Sequence, residues 1–426
     1  MVISNKVVVV GLGYVGLPLA LLAERKGHKV TGVDTDQSKI DLLKNKKTPF
    51  TDEMVTDFLP ASKIELTTEF SCVKNSEIII ICVPTPVYEN HLPNLELVIN
   101  ASTKVAEQLQ KGQLIILEST VNPEVSESVV LPILEEVSGL KGGTDFYLAH
   151  APERINPGDP KWNVENINRV VGSFESVGLE KAVAFYESIL TGTVKRMGSL
   201  KEAEAVKVVE NSFRDINIAF VNELARSFTR LGIDIVNVID GAATKPFAFM
   251  AHYPGCGVGG HCIPVDPYYL IEHAKKKGFD HDFLSLARRI NNDMPHFTVE
   301  RVIEGLNDVK MAINGSVVTV LGVSYKANID DCRESPSFEI IKLLKAKGAE
   351  VRIYDPFVER ESNVTDLESA LKGANAVVLA TAHKEFKTIS PETYTKAGVK
   401  VMVDGRNALP KNEIEKAGII YKGIGR

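Results

Sequence analysis

The sequence is poor in cysteine and lacks the patterns in which cysteine binds metals or builds disulfide frameworks. Five cysteines are spread over 426 residues, and none belongs to a Cys-x-x-Cys pair. Domains that depend on disulfides use cysteine far more densely. Cys256 and Cys262, with His261 beside them, make a poor metal site. We therefore predict no metal and a reducing, cytoplasmic location.

Long apolar runs and clusters of basic residues are also missing. The segment "EIIIICVP" is too short to span a bilayer, and Gly11 and Gly13 interrupt the apolar run near the N-terminus. The formal net charge is −6, and no basic stretch could follow a phosphate backbone. These absences argue against membrane and nucleic-acid partners. The length predicts about two or three globular domains.

The N-terminal segment predicts a glycine turn between a strand and a helix. Val7–Val10 form a β-branched run, as a buried parallel strand does, and Gly11, Gly13 and Gly16 follow in the pattern GxGxxG. Gly11 permits a tight turn, and Gly13 lets backbone N–H groups approach a pyrophosphate. Gly16 allows the helix to pack closely on the strand, and the N-terminus of that helix favours an anion.

An acidic residue after the second strand indicates which dinucleotide binds. A helix over about residues 14–26 is closed by Gly27, and the strand "HKVTGVD" then ends at Asp34. The spacing from Gly16 to Asp34 is 34 − 16 = 18, close to the ~20 expected for a carboxylate that binds the ribose 2′-hydroxyl. Because Asp34 would repel a 2′-phosphate, we predict NAD rather than NADP as the cofactor.

The C-terminal third repeats this organisation without the glycine motif. The strand "SVVTVLGV" runs into a loop. A second strand, in "AEVRIYDP", is followed by the acidic Asp355, just as the strand in "HKVTGVDTD" is followed by Asp34. We predict an α/β fold class with two Rossmann-like parallel-sheet domains, joined by a long central helix and a helical dimerisation region. The predicted domains are 1–199 (NAD-binding), 200–308 (central, helical) and 309–426 (a second Rossmann-like domain for a ligand other than NAD).

A long helix is predicted between the two α/β segments. Residues 201–231 contain neither proline nor glycine, and at ~1.5 Å per residue they would span roughly 45 Å. We expect this helix to be a spine and to take part in a homodimer or higher homo-oligomer. A second helical region is predicted over about 282–308. The predicted apolar face of the long helix comprises Ala205, Val208, Val209, Ser212, Phe213, Ile216, Ala219 and Phe220.

Two segments combine residues suited to chemistry. On the long helix Lys207 and Asn211 share one face at i, i+4, and Arg214 continues the stripe, so that these donors could stabilise an oxyanion. In "GCGVGGHCIPVDPYYL", glycines precede Cys262, so that backbone amides could approach a ligand, and Asp266 follows four residues later. Taken singly, these are more often a solvated helix face and a packed cysteine. Their occurrence together favours a site.

These segments resemble the nucleotide-sugar dehydrogenases, the family of UDP-glucose and UDP-N-acetylhexosamine 6-dehydrogenases, over essentially the whole chain. UDP-glucose enzymes carry Ser-Cys where this chain has His261-Cys262, and "ATKPFAFMAHYPGCGVGGHCIPVDPYYL" is most similar to UDP-N-acetylglucosamine 6-dehydrogenases. The matching stretches are "GLGYVGLPLA", "VPTP", "ESTV", "APER", "KVVENSFRDINIAFVNE", "GVGGHCIPVDPYYL", "SYKANIDDCRESPS" and "VDGRN".

The resemblance implies an NAD-dependent four-electron oxidation at C6 of a UDP-N-acetylhexosamine, with UDP-N-acetylglucosamine as the best match, to give a uronate for surface polysaccharides. Two NAD molecules in succession would take two hydrides, Cys262 would capture the aldehyde as a thiohemiacetal, and water would hydrolyse the resulting thioester. The catalytic residues implied are Cys262, Lys207 and Asn211 (oxygen at C6), Asp266 (orientation of Lys207 or water), and Glu153 and Thr120 (hydrolytic water).

The resemblance also implies binding residues, among which Lys326 and Arg406 are suitable charges for a UDP pyrophosphate on the second sheet. The implied NAD contacts are Gly11, Gly13, Tyr14, Val15, Gly16, Asp34, Lys39, Thr85, Thr120 and Arg333. The implied substrate contacts are Glu153, Arg154, Ile155, Lys207, Asn211, Arg214, Tyr253, Gly257, Tyr325, Lys326 and Arg406.

Several positions depart from the family pattern. Pro157 stands where UDP-glucose members carry a second acid, and "ESTVNPEV" replaces the usual Pro-Pro-Gly loop. Cys256 stands where relatives often have proline, which places a second thiol near the nucleophile in sequence and raises the prospect of oxidation with it. UDP-N-acetylmannosamine enzymes tend to carry a histidine and an arginine near 243–245, and their absence favours the glucosamine substrate.

Other functions fit parts of the sequence. UDP-ManNAc, UDP-GalNAc or UDP-glucose could be the sugar substrate. A two-electron dehydrogenase of the 3-hydroxyacid type also combines GxGxxG with Lys-x-x-x-Asn, but it needs neither a catalytic cysteine nor the second domain at 310–426. A non-catalytic NAD-binding regulator would bind NAD and turn over no UDP-sugar.

Overall fold

Two compact units make up the computed structural model, which describes residues 4–50, 52–88, 93–155 and 161–426. The first unit comprises Met1–Glu210 and Tyr268–Phe279, and the second comprises Asn211–Pro267 and Asp280–Arg426. None of the helices within the described ranges is long and apolar enough to cross a membrane.

The described part of the first unit contains an eight-stranded sheet in the order β3-β2-β1-β4-β5-β6-β7-β8. Neighbouring strands are parallel except for the antiparallel pair β6–β7. Their bounds are β1 (Lys6–Val10), β2 (Lys29–Val33), β3 (Glu65–Thr67), β4 (Ile78–Ile81), β5 (Leu114–Leu117), β6 (Tyr147–His150), β7 (Arg169–Ser173) and β8 (Val194–Arg196).

Helices cover both faces of this sheet, because strands such as Ile78–Ile81 are apolar on both sides and are buried throughout. Two hydrophobic clusters result, and each takes alternate residues of β1 and β4. The helices are α1 (Gly16–Arg25), α2 (Gln37–Lys44), α3 (Glu53–Phe58), α4 (Glu96–Ala106), α5 (Leu131–Ser138) and α6 (Ser176–Ile189).

A second, five-stranded parallel sheet lies in the second unit, where all residues are described, in the order β10-β9-β11-β12-β13. It too has a hydrophobic cluster on each face. The strands are β9 (Val317–Leu321), β10 (Glu350–Tyr354), β11 (Ala376–Leu379), β12 (Val401–Asp404) and β13 (Ile420–Gly423). The helices are α11 (Pro336–Ala346), α12 (Leu367–Leu371), α13 (Lys384–Lys387), α14 (Pro391–Ala397) and α15 (Lys411–Lys416).

The intervening helices are α7 (Leu200–Leu231), α8 (Ile235–Ala243), α9 (Asp266–Lys276) and α10 (Asp282–Asp308). The predictions of helices over 201–231 and 282–308 are confirmed to within one residue. So is the predicted fold class, with two Rossmann-like sheets and a long central helix.

The apolar face predicted for α7 is only partly buried. Val208 and Ala219 are buried, whereas Val209, Phe213 and Phe220 are each about half exposed, at 55%, 47% and 53%. The face that packs inward instead runs along a stripe that includes the polar Asn211 and Asp215. Helical spacing therefore located the helix, but not the direction in which its apolar residues point.

Candidate active site

The glycine turn after β1 has the geometry of a dinucleotide-binding turn. Gly11 has φ +94°, and a Cβ on it would lie 2.7 Å from the Cys82 carbonyl oxygen. A Cβ on Gly16 would lie 1.9 Å from the Gly11 carbonyl oxygen, so α1 can start here only with glycine. A Cβ on Gly13 would meet no atom within 4 Å, which leaves its backbone open to a ligand. The three glycines therefore differ in what a side chain would meet, in the way that their three predicted roles require.

Asp34 follows β2 and is held beside this turn. It accepts hydrogen bonds from the N–H groups of Leu12 (2.9 Å) and Asp36 (3.0 Å), and its side chain pairs with Lys39 Nζ at 2.6 Å. The residue is 8% exposed. These contacts fix the carboxylate of Asp34 at the carboxyl end of β2, where a ribose hydroxyl would be bound. Lys39, another residue implied by the resemblance, therefore acts on the same carboxylate.

The other predicted NAD contacts in this unit follow the ends of neighbouring strands. Tyr14 and Val15 lie in the glycine turn, with the Tyr14 ring 4.2 Å from the Phe50 ring. Thr85 follows β4 and accepts a hydrogen bond from Tyr269, while Thr120 follows β5. Parallel strands end at one edge of a sheet, which is where such folds bind ligands.

Glu153 is a buried carboxylate in the loop after β6, and it is 5% exposed. One oxygen accepts from the N–H groups of Arg154 and Ile155, the latter at 2.7 Å, and the other accepts from Arg169 at 2.7 Å. Arg154 in turn pairs with Glu210, one helical turn beyond Lys207 on α7. The first unit thus brings together Glu153, Arg154 and Ile155. Pro157, which follows them, lies outside the described residues.

Arg169 connects Glu153 to a second buried acid that the sequence analysis missed. Its guanidinium is fully buried, lies 3.4 Å from Glu118 and stacks over the Tyr186 ring at 5.1 Å. Tyr186 donates its hydroxyl to Glu118. Burial raises the pKa of Glu118 to about 7, against the opposing charge of Arg169. The sequence signal that could have identified Glu118 is its position, since it is a charged residue directly after the apolar strand β5.

In the second unit, Cys262, Asp266 and Asn211 come together. Asp266 is the first residue of α9, and its N–H donates to the Cys262 carbonyl oxygen at 2.8 Å. The Asn211 side-chain amide donates to the Asp266 carboxylate at 2.5 Å, and both residues are at most 5% exposed. Cys262 itself is partly exposed. Asp266 therefore connects the backbone of Cys262, one turn before it, to the Asn211 side chain on α7.

At the glycines before Cys262, other parts of the protein lie too close to leave room for a side chain. A Cβ on Gly257 would lie 2.7 Å from Pro336, and one on Gly259 would lie 2.8 Å from Tyr325. A Cβ on Gly260, where φ is +89°, would lie 2.9 Å from the Tyr325 ring. The expectation that these glycines mainly admit a ligand is therefore incomplete, because they also let the loop lie against the segment from Tyr325 to Pro336.

Cys256, the other cysteine of this loop, packs in the core beneath the second sheet. It is fully buried and its thiol donates to the Ala380 carbonyl oxygen at 3.5 Å. Burial raises the pKa of this thiol. A buried thiol with a raised pKa is a poor nucleophile, so Cys256 is less suited than Cys262 to oxidation or catalysis.

A buried polar chain anchors the start of the loop to α7 and α10. The Gly255 N–H donates to Asn222 at 3.0 Å, and Asn222 donates to Asn291 at 2.9 Å. Asn291 donates to Asp215 at 2.8 Å, and Arg288 pairs with the same carboxylate at 2.6 Å. The four side chains are at most 3% exposed. Sequence reasoning missed this chain because its members are far apart in sequence.

The predicted UDP contacts follow strand ends of the second sheet. Tyr325 and Lys326 come after β9, and Arg406 comes after β12 with its Nε donating to the Ala380 carbonyl oxygen at 2.7 Å. Tyr253 is half exposed and donates to Asp240 at 2.7 Å, while Arg214 is exposed on α7. Tyr325 and Arg406 both border the glycine loop, since Tyr325 limits the space around Gly259 and Gly260 and Arg406 limits it around Gly255.

Arg333 lies beside His261 and Asp331 in the second unit. Its guanidinium pairs with Asp331 at 2.6 Å and lies 3.3 Å from His261 Nδ1. His261 Nε2 is 3.5 Å from Cys262 Sγ. The role of Arg333 in binding NAD stays a prediction.

The chain matches the domains of one protein family in order along its length. Residues 5–190 match the NAD binding domain of the UDP-glucose/GDP-mannose dehydrogenase family, 201–293 its central domain and 319–411 its UDP binding domain. The glycine turn and Asp34 lie in the domain that binds NAD, which confirms NAD as the cofactor.

Similar proteins cover almost the whole chain. The UDP-N-acetyl-D-mannosamine dehydrogenase of Pyrococcus horikoshii is 36% identical over 426 residues, 99% of this chain and 99% of that protein. The UDP-N-acetyl-D-glucosamine 6-dehydrogenase of Pseudomonas aeruginosa is 36% identical over 399 residues, 92% of this chain and 94% of that protein. A solved structure of the UDP-D-ManNAc dehydrogenase of Pyrococcus horikoshii aligns with a TM-score of 0.92 and 35% identity over 99% of each chain. These matches confirm the resemblance, and the chain belongs to the UDP-glucose/GDP-mannose dehydrogenase family.

Proposed function

We propose that this chain oxidises the C6 hydroxyl of a UDP-N-acetylhexosamine to a carboxylate in two NAD-dependent steps. The observation that carries the proposal is the cluster of Cys262, Asp266 and Asn211 at the end of the glycine loop. A two-electron alcohol oxidation needs no thiol, whereas an aldehyde that must be oxidised further needs a nucleophile to hold it. Full-length similarity to enzymes named for UDP-N-acetylhexosamines supports the same reaction.

Cys262 is the nucleophile in this proposal. The hydride acceptor in each of the two oxidations at C6 is NAD: the alcohol loses the first hydride to give the aldehyde, and the thiohemiacetal at Cys262 loses the second to give the thioester. Between them the Cys262 thiolate attacks the aldehyde, so that a carbon–sulfur bond forms and the carbonyl electron pair moves onto oxygen. Lys207 and Asn211, one turn apart on α7, donate hydrogen bonds to that oxygen. Asp266 accepts from Asn211 at 2.5 Å and thereby orients its amide.

Glu153 and Thr120 act on the water that hydrolyses the thioester. Arg169 and the N–H groups of Arg154 and Ile155 hold the Glu153 carboxylate in one orientation, as a positioned general base requires. Water adds to the thioester carbon and gives its proton to Glu153. The carbon–sulfur bond then breaks, and the uronate and the Cys262 thiolate are released.

The proposed domains are 1–199 for NAD, 200–308 for the central helices and the cysteine loop, and 309–426 for UDP. Lys326 and Arg406 supply positive charge at the second sheet for the UDP pyrophosphate. The exposed apolar residues of α7, Val209, Phe213 and Phe220, support a homodimer or higher homo-oligomer.

Two sugars are the leading candidates. The loop around His261-Cys262 favours UDP-N-acetylglucosamine, and a 36% identical relative carries that name. UDP-N-acetylmannosamine is the second candidate, because an equally identical relative and a structure with a TM-score of 0.92 are named for it. Both sugars have the C6 hydroxyl that the proposed chemistry requires.

The test is to incubate the purified protein with NAD and each of UDP-GlcNAc, UDP-ManNAc, UDP-GalNAc and UDP-glucose, and to count NADH formed per sugar consumed. Two NADH and a uronate with one N-acetylhexosamine support the proposal and identify the epimer. One NADH per sugar would instead indicate a two-electron dehydrogenase, and binding of NAD with no turnover of any sugar would indicate a regulator.

Cysteine variants test the nucleophile. Cys262→Ala should abolish uronate formation, and Cys262→Ser should stall after hydride transfer has begun. The matched control is Cys72→Ser, which changes a partly exposed thiol in a short 3-10 helix of the first unit and should leave turnover unchanged. Full uronate production by Cys262→Ala would overturn the assignment.

A further inference from the structure

His261 is the histidine that directly precedes Cys262, and its side chain faces the thiol. His261 Nε2 lies 3.5 Å from Cys262 Sγ, within the distance of an N–H···S hydrogen bond. The other ring nitrogen, Nδ1, lies 3.3 Å from the Arg333 guanidinium. Arg333 is itself held by three hydrogen bonds between its Nε and NH2 groups and the Asp331 carboxylate.

The position of Arg333 decides which ring nitrogen of His261 carries the proton. A guanidinium only donates hydrogen bonds, so Nδ1 must be the acceptor in this contact. In a neutral imidazole the proton then sits on Nε2, the nitrogen that faces the sulfur. His261 is therefore arranged to donate a hydrogen bond to sulfur and is poorly arranged to take a proton from it.

We propose that His261 is a catalytic residue that donates its Nε2–H to the Cys262 thiolate, and that Arg333 and Asp331 are positioning residues that hold the required tautomer. This inference rests on the proposed function, in which Cys262 is the nucleophile. Tyr325 and Arg214 are also charged or titratable groups of this part of the second unit, since Tyr325 borders Gly260 and interacts electrostatically with Cys262, Arg333 and Arg214. Burial and the neighbouring Asp331 raise the pKa of Tyr325, so that it stays neutral and adds no second anion beside the thiolate.

The hydrogen bond acts at both ends of the covalent cycle. Before attack, it stabilises the negative sulfur and increases the fraction of thiolate, while His261 keeps its proton. When the carbon–sulfur bond forms, the negative charge moves to the aldehyde oxygen and the bond to sulfur weakens. When the thioester is hydrolysed, the charge returns to sulfur and the same N–H stabilises the leaving thiolate.

The first test measures the rate at which iodoacetamide alkylates Cys262, followed by mass spectrometry of its peptide in the full-length protein without substrate. His261→Ala should slow alkylation several-fold at pH 7, and the difference should disappear at about pH 10, where the thiol ionises unaided. His261→Gln, which keeps an N–H donor, should recover part of the rate. Asp331→Asn should give a smaller loss than His261→Ala.

The matched control is His296→Ala, which removes an exposed histidine from the middle of α10. It should alkylate as the wild type does. Equal alkylation rates in His261→Ala and the wild type between pH 6 and 8 would overturn the proposal. A structural defect is excluded if His261→Ala unfolds at the same urea concentration as the wild type.

The second test reads the tautomer directly. Nitrogen NMR of protein labelled with 15N-histidine, with His261→Gln to assign the signal, should show His261 protonated at Nε2 alone at pH 7.5. A ring protonated at Nδ1 alone, or at both nitrogens, would refute the donor role and favour a histidine that acts as a base.

These outcomes are separable from those of the proposed function. If Cys262→Ala still makes uronate, the nucleophile assignment fails whatever the alkylation rates are. If Cys262→Ala makes none and His261→Ala alkylates normally, the nucleophile stands and only the role of His261 is wrong.

Discussion

Gly13 and Gly16 belong to one motif, yet the structure predicts opposite consequences when each is replaced by alanine. A Cβ at position 16 would lie 1.9 Å from the Gly11 carbonyl oxygen and 3.1 Å from the Cys82 side chain. Because the nearest atom is backbone, the start of α1 must move away from β1. Overpacking of this kind costs about 1–3 kcal/mol, which corresponds to a loss of several degrees in the unfolding temperature.

Gly13→Ala is the matched control, since it adds the same methyl group earlier in the same turn, where no atom lies within 4 Å. Its unfolding should resemble that of the wild type to within about 0.5 kcal/mol. NAD binding should nevertheless weaken about tenfold or more, because the methyl group occupies the space that the glycine leaves for a pyrophosphate.

The assay combines urea unfolding of each variant with NAD titration by calorimetry at a temperature where both are folded. Gly16→Ala should fail mainly in stability, and Gly13→Ala should fail mainly in NAD affinity. The reasoning is refuted if Gly16→Ala is as stable as the wild type, or if Gly13→Ala binds NAD normally.

Three further predictions concern buried polar groups. Asn222→Ala leaves the Gly255 N–H without its acceptor, so the free energy of unfolding should fall by about 1–3 kcal/mol. Because the glycine loop loses its anchor, kcat should also drop. An unchanged kcat would show that the loop needs no anchor. Burial raises the pKa of Glu118 to about 7, so the folded protein keeps a proton on this residue that the unfolded chain releases near pH 4.5. The free energy of unfolding should therefore fall as pH rises from about 4.5 to 7. In urea titrations at several pH values, Glu118→Gln should remove this pH dependence of the free energy of unfolding. An unchanged pH dependence would contradict the assignment to Glu118. Burial opposes the ionisation of Asp355, but hydrogen bonds from His383 and from backbone N–H groups outweigh it and lower the pKa to about 2. Asp355 should therefore stabilise the fold above about pH 4 and lose that contribution towards pH 2. Asp355→Asn should flatten acid unfolding followed by circular dichroism, and a profile like that of the wild type would refute this.

Local patterns in the sequence determined the elements and the cofactor. The strand, the glycine turn and Asp34 could be predicted because each depends on neighbours within about thirty residues, and the glycine roles follow from backbone sterics alone. The long helices over 201–231 and 282–308 were located for the same reason, since helical periodicity is a local property. The residue types around Cys262 likewise indicate a nucleophile, because they lie together in one short segment of the chain.

Only the tertiary structure decided which side chains meet. Arg169, Glu118 and Tyr186 come from three separated segments, and their polar groups interact strongly because all three are buried. The half-exposed Phe213 and Phe220 could not be told from core residues by spacing. Hydrophobic periodicity indicates that one face of a helix is apolar. What covers that face depends on packing against segments far away in the sequence, which no local pattern contains.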